Sequence, residues 1–455
     1  ILSRLSPLVK VIGNTLYAKN DNVLSWGLRA MTAICKTPVP AVTSAMPVVL
    51  EQIIKVIKQH GGTISVEINQ VAVKSLTNII RHVKTAEVKE SQLKYVLEVI
   101  TPDLEEHDTQ GIAFDLLRAI ISRRFVVAEI YDLMERVSSI MVTSQSKQVQ
   151  ETCRSALLAF MLDYPQGKGR LKAQMTFLAQ NLSYVYESGR LSVMELLEHV
   201  FIKFSEDLVA EYNDMFFLAL VIVNANDESE KCRVKAGTLL QILISRYDGN
   251  KLQDLVSTLG KWVARRSEDP ALARSAAIVS GLTLQAVSTE QRSSLIGTIR
   301  QSMNDIIVDA AQDLRRAEEL AEEDQASAFE LEVNLDHSLP YQALTTLARC
   351  LEGDGLDRII WNDVIALLLF PHDWVRLAAA KCVGLALAKN STLLDAEQLS
   401  DVARKCCLLL TGHRGKDGSR TIANEKLSTQ VVKLLFFIGK TWAVSRQVFS
   451  KSSMR

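Results

Sequence analysis

The chain has 455 residues, with 52 Lys+Arg against 52 Asp+Glu, so its formal net charge is zero. That balance excludes a histone-like or tail-like polycation, although local basic patches remain open. Hydrophobic residues make up 48% and charged residues 23%, which is ordinary globular usage and excludes disorder of the bulk of the chain. With only 20 Gly and 9 Pro, the frequent turns of an all-β fold lack their punctuation, and a mostly helical chain is expected.

The chain begins at Ile1 rather than Met and is expected to be an internal piece of a longer protein, so a missing leader carries no weight. In chain order, Thr37-Pro38 and Gly61-Gly62 are the first breaks. Leu93, Val96, Leu97 and Ile100 then follow the i, i+3, i+4, i+7 spacing of an amphipathic helix, which Thr101-Pro102 ends. Asp163-Tyr164-Pro165 is the next break. The longest apolar run, Met215 to Val223, is far short of the ~20 residues of a membrane span and predicts a buried core helix. Asp248-Gly249 precedes a second clear helical stripe at Leu252, Leu255, Val256 and Leu259. Asp269-Pro270 reads as an N-cap followed by the first helical residue, and Phe370-Pro371 is the last strong break. The seven cysteines, at 35, 153, 232, 350, 382, 406 and 407, are scattered and odd in number and form no C-x-x-C. They predict free thiols in a reducing, intracellular compartment rather than a disulfide framework or a zinc site.

One local pattern recurs at helix starts: a polar cap, then a basic residue flanked by small or branched apolar residues, then Ala. Val375-Arg376-Leu377-Ala378-Ala379, Cys232-Arg233-Val234-Lys235-Ala236 and Ala273-Arg274-Ser275-Ala276-Ala277 are its strong copies. Weaker copies centre on Arg29, Lys74, Asp115, Arg154 and Met194. From 29 to 274 these anchors stand 39 to 45 residues apart, whereas 274 to 376 spans two periods and a surplus of about 20 residues. The surplus coincides with an acidic stretch from Glu318 to Asp336. A period of about 40 residues holding two helices is the HEAT/armadillo period, whose pairs bury their faces only by stacking. The expected fold is therefore an all-α solenoid of HEAT/armadillo-like helix pairs. Residues 1–315 would form repeats, 316–336 an acidic insertion, and 337–455 repeats continuing the same solenoid. In the motif, Ala permits close helix packing, and the Arg or Lys can form a ladder to carboxylates of neighbouring repeats.

Catalytic patterns are missing: the sequence holds no G-x-x-x-x-G-K-[ST], G-x-G-x-x-G, H-E-x-x-H or G-x-S-x-G. None of the seven His lies three or four residues from another, so no helical metal pair is expected, and His199 reads as a core or boundary residue. No enzyme activity, cofactor, metal, membrane or small-molecule substrate is expected. Basic loops are the stronger signals. Gln166-Gly167-Lys168-Gly169-Arg170-Leu171-Lys172 opens a helix, where glycines permit close backbone approach and N-terminal amides favour an anion. Thr411 to Arg420 is a glycine-rich basic loop carrying Arg414, Lys416 and Arg420. Lys168, Arg170, Lys172, Arg414, Lys416 and Arg420 are thus candidate RNA phosphate contacts, with Tyr184 and Tyr186 as the nearest aromatics for base stacking. Arg123-Arg124 and Arg265-Arg266 sit at helix ends and read more simply as charge caps. Glu318, Glu319, Glu322 and Glu323 are a candidate dock for a basic partner segment.

Leu162-Asp163-Tyr164-Pro165-Gln166-Gly167-Lys168-Gly169-Arg170-Leu171, running on through Phe177–Leu182 to Tyr184-Val185-Tyr186-Glu187-Ser188-Gly189-Arg190, resembles the DRIM family. That family is component 20 of the small-subunit processome, a very large nucleolar HEAT-repeat protein. Ile120–Arg124 with Glu129–Met134, Phe370–Ala379, and Trp26–Arg29 with Cys35–Pro38 add to the likeness. The resemblance implies a C-terminal part of a non-catalytic scaffold of the 90S pre-ribosome. Its partners would be processome proteins, pre-rRNA and small nucleolar RNA in the nucleolus. It supplies no catalytic residues. The repeat alone also permits an adaptor of another class, such as a nuclear transport receptor or a phosphatase-type scaffold.

Overall fold

In the computed structural model the described residues are 2–37, 39–106, 108–322, 338–351, 358–414, 420–421 and 423–452. They form two compact units, Ile1–Tyr212 and Asn213–Arg455, and the division falls within the helix α11 (Glu206–Asn226).

The first unit holds α1 (Leu2–Thr15), α2 (Asp21–Ile34), α3 (Pro40–Gln59), α4 (Glu67–His82), α5 (Glu90–Ile100), α6 (Gln110–Ser122), α7 (Ala128–Thr143), α8 (Lys147–Asp163), α9 (Lys168–Asn181) and α10 (Glu187–Lys203). Helices pair as α1 with α2, α3 with α4, α7 with α8 and α9 with α10, and the even-numbered members stack in a row: α2 on α4, α4 on α6, α6 on α8, α8 on α10. On the other side α1 meets α3 and α5 meets α7. Stacking of this kind buries a face that no single pair could bury alone. The interior runs through Leu28, Met31, Ile53, Ile57, Phe114 and Phe160, all essentially solvent-free.

The second unit repeats the plan with α12 (Glu230–Ile244), α13 (Gly249–Ala264), α14 (Pro270–Ala286), α15 (Thr289–Glu322), α16 (Leu339–Cys350), α17 (Trp361–Ala366), α18 (Asp373–Lys389), α19 (Ala396–Thr411) and α20 (Glu425–Ser452). Its even-numbered row runs α12, α14, α16, α18, α20, and its odd-numbered row α13, α15, α17, α19. The fold is an α-solenoid of helix pairs. Two helices, α3 and α11, are long and apolar enough to cross a membrane. Here α3 packs Val49, Leu50, Ile53 and Ile57 into the interior, and α11 buries Phe216 and Leu220.

The expected helix signals match local structure. Leu93, Val96, Leu97 and Ile100 are the buried face of α5, and Leu252, Leu255, Val256 and Leu259 that of α13. Asp269 caps α14 by accepting from the Leu272 N–H at 2.9 Å, with Pro270 as the first helical residue. Every repeat anchor falls on an even-numbered helix, from Arg29 on α2 to Arg376 on α18. Ala276 and Ala277 are fully buried, and α16 comes so close to α14 that a Cβ on Gly281 would lie 2.5 Å from Thr346 Oγ1 and run into Arg349. The Thr346 hydroxyl donates to the Ala277 carbonyl at 2.8 Å.

The basic ladder is partly present. Arg81 of α4 pairs with Asp115 of α6 at 3.1 Å, and Arg154 of α8 with Glu195 of α10 at 2.8 Å. Two details differ from expectation. His199 is exposed, with Nδ1 2.8 Å from the Glu195 carbonyl one turn back, because the apolar stripe of α10 turns away from it. Arg123 caps a neighbouring helix rather than its own, donating to the carbonyls of Ile80, Val83 and Lys84 at the end of α4. Among the described residues, all seven cysteines are free thiols, six of them buried.

Candidate nucleic-acid interface

The break at Asp163-Tyr164-Pro165 is pinned from both sides. Tyr164 is buried, its hydroxyl donates to the Phe125 carbonyl at 2.9 Å, and it accepts from the Val127 N–H at 3.2 Å. Burial pushes its phenol pKa upward, so it stays a neutral donor. Gln166 donates from Nε2 to the Phe160 carbonyl at 3.1 Å. Across the break, Tyr131 of α7 donates to the Pro165 carbonyl at 2.9 Å. Its ring packs edge-on to Phe160 and Tyr164, with centroids 5.9 and 5.5 Å away. These contacts fix where α9 starts.

Gly167 is the N-cap of α9 and offers no side-chain acceptor to the first amides. Lys168, Arg170 and Lys172 are the first, third and fifth residues of the helix, all exposed. Cations at a helix N-terminus oppose the macrodipole, at about 0.3–1 kcal/mol each. No Asp or Glu stands between Asp163 and Glu187 to offset them. A Cβ at Gly167 or Gly169 would meet nothing within 4 Å, so the chain's own packing does not call for glycine at either position. A cationic, uncapped, sterically open helix start suits an anion approaching from outside.

Arg170 is ordered by an aromatic. Its guanidinium carbon sits over the Tyr131 ring, 3.9 Å from the centroid, and that ring is itself anchored. Beside this stack a cleft of about 340 Å³ opens between α7 and α9, lined by Tyr131, Glu135, Ser138, Arg170, Gln174 and Phe177 among others.

Sequence reasoning missed Tyr131, Glu135, Gln174 and Phe177, and placed the aromatics at Tyr184 and Tyr186 instead. Those two rings make an edge contact at 5.9 Å with each other in the α9–α10 loop, at the far end of α9 from the three cations. The only signal for Tyr131 lay about 40 residues upstream, one repeat away.

The other candidates belong to the second unit. His413–Arg414 pairs antiparallel with Arg420–Thr421, with Arg414 opposite Arg420, so the two ends of this basic segment form a short two-stranded ladder. Lys416 lies outside the described residues. Glu318, Glu319 and Glu322 fall on the last turns of α15, while Glu323 and the rest of the acidic stretch to Asp336 lie outside the described residues. Arg266 is committed to Asp309 at 2.6 Å. Among the described residues no group of His, Cys, Asp or Glu could hold a metal ion.

The fold and this site define an α-solenoid protein with a cationic, aromatic-backed helix end. No protein-family model matches the chain. It is 30% identical over 84% of its length to U3 small nucleolar RNA-associated protein 20 of Schizosaccharomyces pombe, and 27% identical over 98% of its length to the protein of that name in Saccharomyces cerevisiae. These are the proteins of the family that its motifs resemble. The chain spans 15% and 17% of their lengths. Among solved structures, Kap121p bound to Nup53p is similar at a TM-score of 0.42 and 13% identity, covering 95% of this chain and 41% of that one. An engineered protein is similar at a TM-score of 0.35 and 14% identity, covering 95% and 98%. At these scores neither likeness informs fold or function.

Proposed function

We propose that the chain is part of a non-catalytic scaffold for making the small ribosomal subunit, in the nucleolar particle associated with U3 small nucleolar RNA. Similarity over most of the chain to proteins named for that association supports the reading. Stacked helix pairs present long faces on which assembly proteins can lie. Pre-rRNA would touch the scaffold at a few points, foremost the α9 start at Lys168, Arg170 and Lys172. Arg414, Lys416 and Arg420 would form a second contact, and Glu318, Glu319, Glu322 and Glu323 would receive a basic partner segment.

The observation that carries the RNA contact is the cationic start of α9, a helix with no Asp or Glu of its own, with Arg170 held on Tyr131. Changing Lys168, Arg170 and Lys172 together to Glu should abolish crosslinking of this chain to pre-rRNA in the assembled particle; unchanged crosslinking removes the assignment. Depletion of the protein should leave small-subunit rRNA precursors unprocessed, and normal processing would overturn the functional reading as a whole.

A further inference from the structure

The cleft between α7 and α9 is more selective than a phosphate contact requires. Its volume of about 340 Å³ lies in the range of small-molecule sites. Its wall carries Arg170, seated over the Tyr131 ring, and Phe177, which supplies an aromatic surface. Unstacked bases of single-stranded RNA stack on guanidinium planes and aromatic rings of this sort.

The polar groups of the cleft are mostly acceptors. Gln174 Oε1 is closed to solvent and receives no hydrogen bond in the structure. The Ser138 hydroxyl spends its proton on the Met134 carbonyl at 2.9 Å and has only lone pairs left. Glu135 is exposed and brings a carboxylate. A ligand that pairs with the exposed Glu135 carboxylate does best with two adjacent donors on one edge. Guanine has such an edge, because its N1–H and N2–H₂ can both meet a carboxylate or amide oxygen. Adenine and cytosine set a ring-nitrogen acceptor beside their amine, and uracil flanks its one N–H with two carbonyls. An arginine from a protein partner is also donor-rich, but it would approach past Lys168, Arg170 and Lys172 with no nearby acid on α9, whereas an RNA strand brings phosphates to those cations.

We propose that the α7–α9 cleft holds one unstacked guanine of a single-stranded RNA segment whose backbone lies along Lys168 and Lys172. The proposal rests on α9 being an RNA contact. Fluorescence polarisation of the full chain with a short uridine-rich oligonucleotide carrying one guanosine, or inosine in its place, tests it, because inosine lacks only the N2 amine. The guanosine strand should bind about tenfold more tightly than the inosine strand, the discrimination of one good base contact. Glu135→Gln, which replaces a carboxylate oxygen with an amide donor at an exposed position, should remove that preference. Free GMP at the oligonucleotide's concentration should not compete. Equal binding of the two strands by the wild-type chain, a preference that survives Glu135→Gln, or effective competition by GMP would each overturn the cleft assignment. If the two strands bind equally yet the triple change to Glu weakens both, the cleft fails while the α9 contact stands. If the triple change leaves binding unaltered, the RNA contact itself falls.

Discussion

Arg190 reaches back six residues and donates from Nη1 to the Tyr184 carbonyl at 2.8 Å. The same nitrogen also reaches the Val185 carbonyl at 3.0 Å. One repeat later Arg233 does the same, donating to the Asp227 carbonyl at 2.8 Å and the Glu228 carbonyl at 3.2 Å. Both arginines are the fourth residue of their helices, α10 and α12. These two arginines therefore fasten the preceding loop onto the helix that each one opens. Hydrogen bonds from a charged donor contribute about 1.5–3 kcal/mol each. Arg190→Met and Arg233→Met should each destabilise the chain by about 2 kcal/mol in urea unfolding, and Lys should restore little, since a single ammonium lacks the planar fork. Stability within a few tenths of a kcal/mol of wild type would show that the loops hold themselves.

This pair also shows where the sequence was legible and where it was not. The ~40-residue period, the even-numbered helices and their alanines could all be read, because small residues and caps recur at helix starts. The register of α10 could not. Its anchor was placed at Met194, one turn beyond Arg190, because an apolar stripe of period 3.6 scores nearly the same when shifted by four residues. Only the hydrogen bonds to loop carbonyls fix the register, and periodicity does not see them. The candidate interface was half legible for a related reason. Lys168, Arg170 and Lys172 are local in sequence, but Tyr131 and Glu135 join them only because α7 and α9 come together in the fold.

Arg124 adopts φ +55°, in the left-handed region, at the end of α6. Its N–H donates to the Ile121 carbonyl at 2.9 Å, and the Phe125 N–H to the Ile120 carbonyl at 3.3 Å, which together make a Schellman ending. A side chain there carries a cost that glycine avoids. Arg124→Gly should therefore stabilise the chain by about 0.5–1 kcal/mol, after the greater freedom of glycine in the unfolded chain is subtracted. A loss of stability on thermal or urea unfolding would show that the arginine side chain contributes more than its backbone costs.

Cysteine reactivity should separate one thiol from six. Burial pushes the thiols of Cys153, Cys350 and Cys406 up to about 12 and that of Cys35 to about 11, and it raises that of Cys382 as well. Cys232 is also buried, and Cys407 alone is exposed. Because the thiolate is the reactive form, native protein at pH 8 should take up one iodoacetamide at Cys407, and urea-unfolded protein seven. Cys407→Ser should abolish native labelling. Rapid labelling of a second thiol would mean that a helix pair opens readily.

His372 makes the stability of the second unit sensitive to pH. It is 6% exposed and caps α18 by accepting from the Trp374 N–H at Nδ1, 3.2 Å away. That bond leaves the proton of the neutral ring on Nε2, which is buried without a hydrogen-bond partner. Burial lowers its pKa, and the charge of Arg376, one turn on, lowers it further. The unfolded chain has an ordinary histidine, with a pKa near ~6.5, and so binds the proton first as pH falls. The contribution of His372 is therefore complete above pH ~6.5. It declines below that, by at most about 1.4 kcal/mol per pH unit, until the lowered folded-state value is reached. His372→Asn keeps a cap acceptor and removes the titration. The variant should lose less stability than wild type between pH 7 and pH 5.5, measured by urea unfolding at each pH. Parallel losses in the two proteins would show that the acid sensitivity lies elsewhere.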